Sequence, residues 1–330
     1  MFKKSTHLLL ALGFGVIVLL SFSNIAGFFA TLENSLRDSM FLLRGSAETS
    51  GNIVIIDMDE KLENSLENQS LSRDKLAEII YYLAQADAKI IGVDMMFKGL
   101  DPNSPAKIYL EKGLEVPSDI EDYDYTLAAT IANTPTVGGY KFDTQNEGNN
   151  SVDASGYSKV LIEFSNNINT VDAKKIDISI PLIQENYYSS GFYNFNLDTD
   201  GIVRTLPLTI KYGASELHPA FSLNIYRLAL GLESLTVLST NGGEIYGLEV
   251  GEQIVPIGDL SQFYINYRGK SHTFEYISAS DVLNNTFNKD SIANKLVLIG
   301  SSNNKQSLFS TPYDSNMPSV EIHANIIDTL

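Results

Sequence analysis

From Leu8 to Ala30 the chain runs 23 residues without a charge, LLLALGFGVIVLLSFSNIAGFFA. At 1.5 Å per residue such a helix crosses a hydrocarbon core of about 30 Å with some tilt, so the pattern predicts one transmembrane helix. Lys3 and Lys4 precede it and Glu33 and Asp38 follow it, which orients the N-terminus inward. A cleaved signal peptide is the competing reading, but its apolar region usually runs only about 7–15 residues, and no A-x-A site follows. Residues 1–30 are therefore expected to be an N-terminal membrane anchor, and 31–330 an exported body.

The body opens with Leu32, Leu36, Met40 and Leu43 at helical spacing, ending near Arg44-Gly45. Asn52-IVIIDMD follows, a short β-branched run of the kind that forms a buried parallel strand. Arg73–Ala86 is amphipathic at helical period, Lys89-IIGVDMMF repeats the strand pattern, Tyr123–Asn133 is helical, and Thr136-VGGYKF is again strand-like. Lys295-LVLIG is another buried-strand pattern, and Val320–Leu330 begins a helix. Strand and helix alternate, as in a parallel α/β sheet.

Polar stretches at 99–121 and 143–175 read as surface excursions. NFNLDTDGIVRTLPLTIKY (194–212) alternates around an Asp-Gly turn, His218–Leu230 reads as a helix with Pro in its first turn, and Gly242–Asn266 is strand-rich. The predicted class is α/β: a mostly parallel central sheet flanked by helices, with β-hairpin insertions, preceded by one transmembrane helix.

Charge sharpens this picture. The chain carries −17 overall, and because residues 1–30 hold two lysines and no acid, the remaining 300 carry −19. An exported body so acidic repels nucleic acid, which is excluded as a partner. With no cysteine there is no disulfide framework, thiolate catalysis or Cys-ligated metal. The four histidines, His7, His218, His272 and His323, lie far apart, so no clustered-histidine metal motif exists.

Several segments together resemble the CHASE type-two domain, the extracytoplasmic sensor of bacterial membrane receptors. They are FLLR (41–44), NIVIIDMDE (52–60), the helix opened by Arg73, IIGVDMMF with Asp94, and NLDTDGIVRTLPL (196–208). INYRG (265–269), SASDVL (278–283), NKLVLIGSS (294–302) and the tail TPYDSNMPSVEIHANIIDTL (311–330) complete the set. The resemblance covers nearly everything from Leu32 onward. Three positions depart from it: Ser72 stands where the family usually has Pro, Asp87-Ala88 where it has Gly-Ala, and Ser319 where it has Gly. The resemblance implies further membrane spans and an output module such as a cyclase or kinase downstream, whereas this chain stops at Leu330. It also implies a homodimer in the bacterial cytoplasmic membrane, with the bulk of the chain periplasmic or extracellular.

Ligands of parallel α/β sheets bind outside the carboxyl ends of the strands. Asp57 and Asp59 lie at that end of one strand and Asp94 at that end of another. If those strands are neighbours, the carboxylates converge. They would then hold a divalent cation, with Asp57 and Asp94 the metal candidates, or a cationic or polyhydroxyl ligand, or supply general acid–base chemistry. With Arg73 and His323 they make up the candidate ligand-binding set; otherwise they cap backbone amides or pair with Arg73. His323 in VEIHAN either faces the end of the sheet or is a hydrogen-bonded structural residue. Asp198-Thr-Asp200-Gly201 lacks the distal Glu of a calcium loop and reads as a turn, with Arg204 pairing across it. Gly300-Ser-Ser offers backbone amides to an anion, without a nucleotide-binding glycine pattern.

The leading function is a ligand-sensing input domain. Its partner is a small ligand, an ion or an extracytoplasmic protein, and it needs no resident cofactor beyond a possible divalent cation. The alternative is an exported, metal-assisted hydrolase using Asp57, Asp59 and Asp94.

Overall fold

The computed structural model describes residues 31–66, 70–145, 152–154, 156–164, 168–213 and 216–330. The expected anchor at 8–30 lies outside them, and among the described residues no helix is long and apolar enough to cross a membrane. The chain divides into two compact units, residues 1–45 and 46–330. In the first, residues 31–44 are helical, Arg37 pairs with Glu33 one turn earlier at 2.9 Å, and Gly45 ends the helix with φ 72°.

Among the described residues the second unit is built on a seven-stranded sheet with six parallel strands, β1 (Ile53–Asp57), β2 (Ile90–Val93), β3 (Thr136–Asp143), β4 (Ser189–Phe192), β5 (Glu275–Ser278) and β6 (Leu296–Gly300), and one short antiparallel strand, Lys175–Asp177, paired with the end of β3. The order of the parallel strands across the sheet is β5-β1-β6-β2-β3-β4. β1, β2 and β6 are buried along their whole length, because helices cover both faces. That is why they read as continuous apolar runs.

Alternation sorts their side chains into two cores. Val54, Ile56, Ile91, Val93, Val297 and Ile299 pack under α2 (Arg73–Gln85), α3 (Tyr123–Ala132) and α5 (Ala279–Leu283), while α1 (Glu60–Ser65) adds Leu62. Ile53, Ile55, Ile90, Leu296 and Leu298 pack under α4 (Phe221–Ala229) and α6 (Ser319–Thr329).

Two parallel strands escaped the sequence reading. β4 has the sequence SSGF, with no apolar run, yet it is buried throughout. Its small residues admit α4: a Cβ on Gly191 would lie 2.7 Å from the Phe221 backbone. β5, EYIS, is an edge strand and only half-buried. The predicted helix at 218–230 also needs correction. Glu216–Pro219 is a strand paired with Thr209–Tyr212, and the helix begins only at Phe221. Pro219 closes that strand at its last paired position, where its missing N–H is tolerated.

The hairpin insertions form separate antiparallel ribbons. One joins Asn196–Leu197, Val203–Pro207 and Gln262–Tyr264. Another joins 234–239, 245–250 and 253–256, extended by a parallel strand at 161–163.

Candidate ligand-binding site

The late strand β6 lies between β1 and β2, and this decides where the aspartates go. Asp57 pairs in register with Gly300 on one side of β6, and Asp94 donates its N–H to Ile299 on the other. Their backbones therefore stand two strand spacings apart, roughly 10 Å. The carboxylates do not converge as neighbouring strands would have made them.

Each carboxylate is instead engaged locally. Asp57 accepts the Ser302 N–H at 2.8 Å and the Ser302 hydroxyl at 2.6 Å. The Gly300-Ser-Ser turn does receive an anion, and it is the protein's own. Burial nevertheless raises the Asp57 pKa, against the lowering by Ser302. Asp59 caps α1, accepting the Leu62 N–H at 3.0 Å, and takes the Ser278 hydroxyl at 2.9 Å. Arg73 lies elsewhere: it forms a buried ion pair with Asp124 and donates to the Gly99 carbonyl at 2.8 Å. Among the described residues no group of three or more His, Asp or Glu side chains is placed to hold a metal ion.

Asp94 and His323 are brought together. The first residue of α6, Ser319, donates its hydroxyl to Asp94 Oδ2 at 2.5 Å. His323, one turn further along α6, places Nε2 3.9 Å from Asp94 Oδ1, beyond hydrogen-bond reach. Its Nδ1 is 2.7 Å from the Ser222 hydroxyl, and its ring is boxed in by Tyr193, Phe195 and Phe221. Burial pushes the two titrations in opposite directions. The Asp94 pKa rises to about 7, and that of His323 falls to about 3, with the Lys141 charge lowering it further.

Asp94 and Ser319 line a cavity of about 390 Å³ at the carboxyl ends of β2 and β3. Its walls are Met95, Met96, Phe195 and Phe309, with Lys141 and Asn304 at the rim. Tyr193 shapes the inner wall by donating its hydroxyl to the Val93 carbonyl. A larger cleft of about 770 Å³ shares Lys141 and Phe195 with it, lies against the 196–207 hairpin, and has Thr205 as its one buried polar side chain. The smaller cavity is the stronger site, because it sits at the strand ends and has a buried carboxyl in its wall.

Residues missed by sequence reasoning hold α6 in place. Glu321, fully buried, accepts the His272 and Thr273 N–H groups at 2.8 and 2.9 Å and the Tyr276 hydroxyl at 2.8 Å. Asp328 accepts Arg268 Nε at 2.6 Å and the Ser50 N–H at 3.0 Å, while Asn325 Oδ1 accepts the Arg268 N–H at 2.8 Å. The motifs INYRG and VEIHANIID thus belong to one network, a link visible only in three dimensions. At the 198–201 turn Arg204 does pair with Asp198 and Asp200, at 2.6 and 2.8 Å, as its spacing suggested.

A mostly parallel α/β sheet thus carries a small cavity at its strand ends, with α6 running from it. The CHASE2 domain family model matches residues 11–330. The chain belongs to the CHASE2 family, a class of extracytoplasmic sensor domain. No curated protein and no solved structure matches it.

Proposed function

We propose that the chain is the ligand-sensing input domain of a bacterial transmembrane receptor, that the cavity beside Asp94 takes the signal molecule, and that α6 carries the response. The observation behind this is the position of α6. Its first residue, Ser319, bonds Asp94 in the cavity wall, and its last turn, through Asp328, bonds Ser50 and Arg268. Residues 46–52 follow in the chain directly after the 31–44 helix, so a shift of α6 reaches both ends of the domain. A ligand moves such a helix only by binding one of its positions more tightly than the other.

Binding without turnover fits the site better than hydrolysis. Ser222, His323 and Asp94 fall in the order of a Ser–His–Asp triad, but Ser222 is fully buried on α4 and no substrate reaches its hydroxyl. In the proposed receptor the chain is anchored in the cytoplasmic membrane by residues 8–30, acts as a homodimer and drives an output module.

Hydrogen exchange on the full chain in lipid nanodiscs tests this reading, using a panel of small metabolites. The expected result is slowed exchange at 94–97 together with 319–330, and no product. Steady product formation that Asp94→Asn abolishes would sink it, as would protection confined to other segments.

A further inference from the structure

We propose that the cavity beside Asp94 binds a free α-amino acid with an apolar side chain, its ammonium received by Asp94 and its carboxylate by Lys141. The inference rests on the reading of this cavity as the input site and adds the chemistry of the ligand.

One oxygen of Asp94 stands without a hydrogen bond among the described residues. The Asp94 side chain is only 9% exposed, and its Oδ2 is taken by Ser319. Among the described residues no hydrogen bond is made to its Oδ1; His323 Nε2, itself without a hydrogen-bond partner, stands 3.9 Å away on a ring that burial holds neutral. A buried carboxyl with a free oxygen in a cavity wall is a strong receptor for a charged N–H donor. An ammonium group matches it.

Lys141 supplies the opposite charge. It stands exposed on β3 at the rim of the same cavity and has no ion-pair partner among the described residues. With Asp94 ionised the two charges sum to zero. A zwitterion keeps that sum while neutralising each charge locally. A bare amine would face Lys141 and a bare acid would face Asp94, so the pair discriminates against both by like-charge repulsion.

Size and wall chemistry narrow the choice further. At about 390 Å³ the cavity lies near the lower end of ligand pockets, enough for a single small metabolite. Met96, Phe195 and Phe309 present apolar surface, the two phenylalanine rings meeting edge to face at 5.2 Å. A branched or aromatic amino-acid side chain fits that wall, and a sugar does not.

The test is calorimetry on the full chain in nanodiscs at pH 8, with L-leucine and L-phenylalanine as probes. Two truncated analogues of leucine, 3-methylbutylamine and 4-methylpentanoate, serve as controls. At least one of the two amino acids is expected to bind, with each analogue weaker by about tenfold or more. Asp94→Asn and Lys141→Met should each weaken amino-acid binding by about tenfold or more. Because Lys141 is exposed, Lys141→Met tests the charge pairing without disturbing the core. Three results would overturn the proposal: no heat from either amino acid, equal binding of the bare amine, or indifference of both variants. Parallel hydrogen exchange with succinate and glucose separates the two levels. Protection of 94–97 and 319–330 by one of these but not by the amino acids discards the amino-acid assignment and keeps the input site. Protection by none of the four compounds counts against both.

Discussion

Gly300 lies directly beneath Val320: a Cβ built on Gly300 would stand 2.5 Å from Val320 Cβ and 2.9 Å from Cγ2. The last residue of β6 thus gives α6 its close seat between Asp57 and Asp94. Gly300→Ala forces the helix outward, and overpacking of this kind costs about 1–3 kcal/mol. Because Ser319 precedes Val320, the same shift should loosen its bond to Asp94. A lower Tm together with faster amide exchange in 319–323 is the expected outcome; an unchanged Tm would show that α6 does not bear on β6.

The opposed titrations of Asp94 and His323 predict an unusual pH dependence. The Asp94 pKa is raised from 3.8 to about 7 by burial, so its stabilising contribution is full below the unfolded value and is lost as pH rises through the folded one. The His323 pKa is lowered from 6.5 to about 3, so its contribution is full above the unfolded value and is lost as pH falls through the folded one. Between about pH 4 and 6.5 the two slopes cancel, each being about 1.4 kcal/mol per pH unit at most. Lys141 is the charged neighbour that lowers both values. Asp94→Asn removes one slope, so its urea-measured stability relative to wild type should climb from pH 4 to 7 and then level off. A difference that stays flat with pH would show that Asp94 ionises normally.

Much of the sheet could be read from the chain, and the reason is burial on both faces. IVIID, IIGV and LVLIG are apolar because every one of their positions is covered, and they announce themselves. SSGF (189–192) is covered as well, but by close approach of α4, which selects small residues and leaves no hydrophobic signal. The site was only half legible. Asp94 and His323 could be picked out singly, but not their meeting, which depends on α6 lying across the sheet. Asp57 and Asp94 looked like partners because local sequence does not reveal that a strand 200 residues later inserts between them. Lys141 carried no motif at all, since nothing in YKF distinguishes a rim lysine from a solvated one. The family departure at Ser319 proved informative: where Gly is usual, this chain sets the hydroxyl that occupies Asp94 Oδ2.

A second departure, at Asp87, makes its own prediction. Asp87 holds φ 60° and sits just past the end of α2, where its N–H bonds the Ala84 carbonyl at 3.1 Å and the Ala88 N–H bonds that of Leu83 at 3.2 Å. This is a Schellman ending, whose left-handed position favours glycine. Asp tolerates it at a cost of about 1 kcal/mol. Asp87→Gly should therefore raise the Tm by a few degrees, a gain of up to about 1 kcal/mol, and leave ligand binding unchanged. A lower Tm would mean that the Asp87 side chain contributes more than its backbone strain costs.

Asp328 ties the last turn of α6 to the segment that enters the domain. Its Oδ2 accepts Arg268 Nε at 2.6 Å and its Oδ1 accepts the Ser50 N–H at 3.0 Å, with the Arg268 carbonyl in turn accepting the Ala47 N–H at 2.6 Å. Hydrogen bonds to a charged group contribute about 1.5–3 kcal/mol, so their loss corresponds to at least a tenfold change in local opening. Asp328→Ala should speed amide exchange in residues 46–52 and in the last turn of α6 by that factor. The cavity residues 94–97 should be unaffected, because Ser319 and Val320 hold the other end of the helix. In the receptor proposed here the same variant should also uncouple the ends: occupancy of the cavity would still slow exchange at 94–97 but no longer at 46–52. If ligand-induced protection of 46–52 survives Asp328→Ala, the response travels by another route than α6.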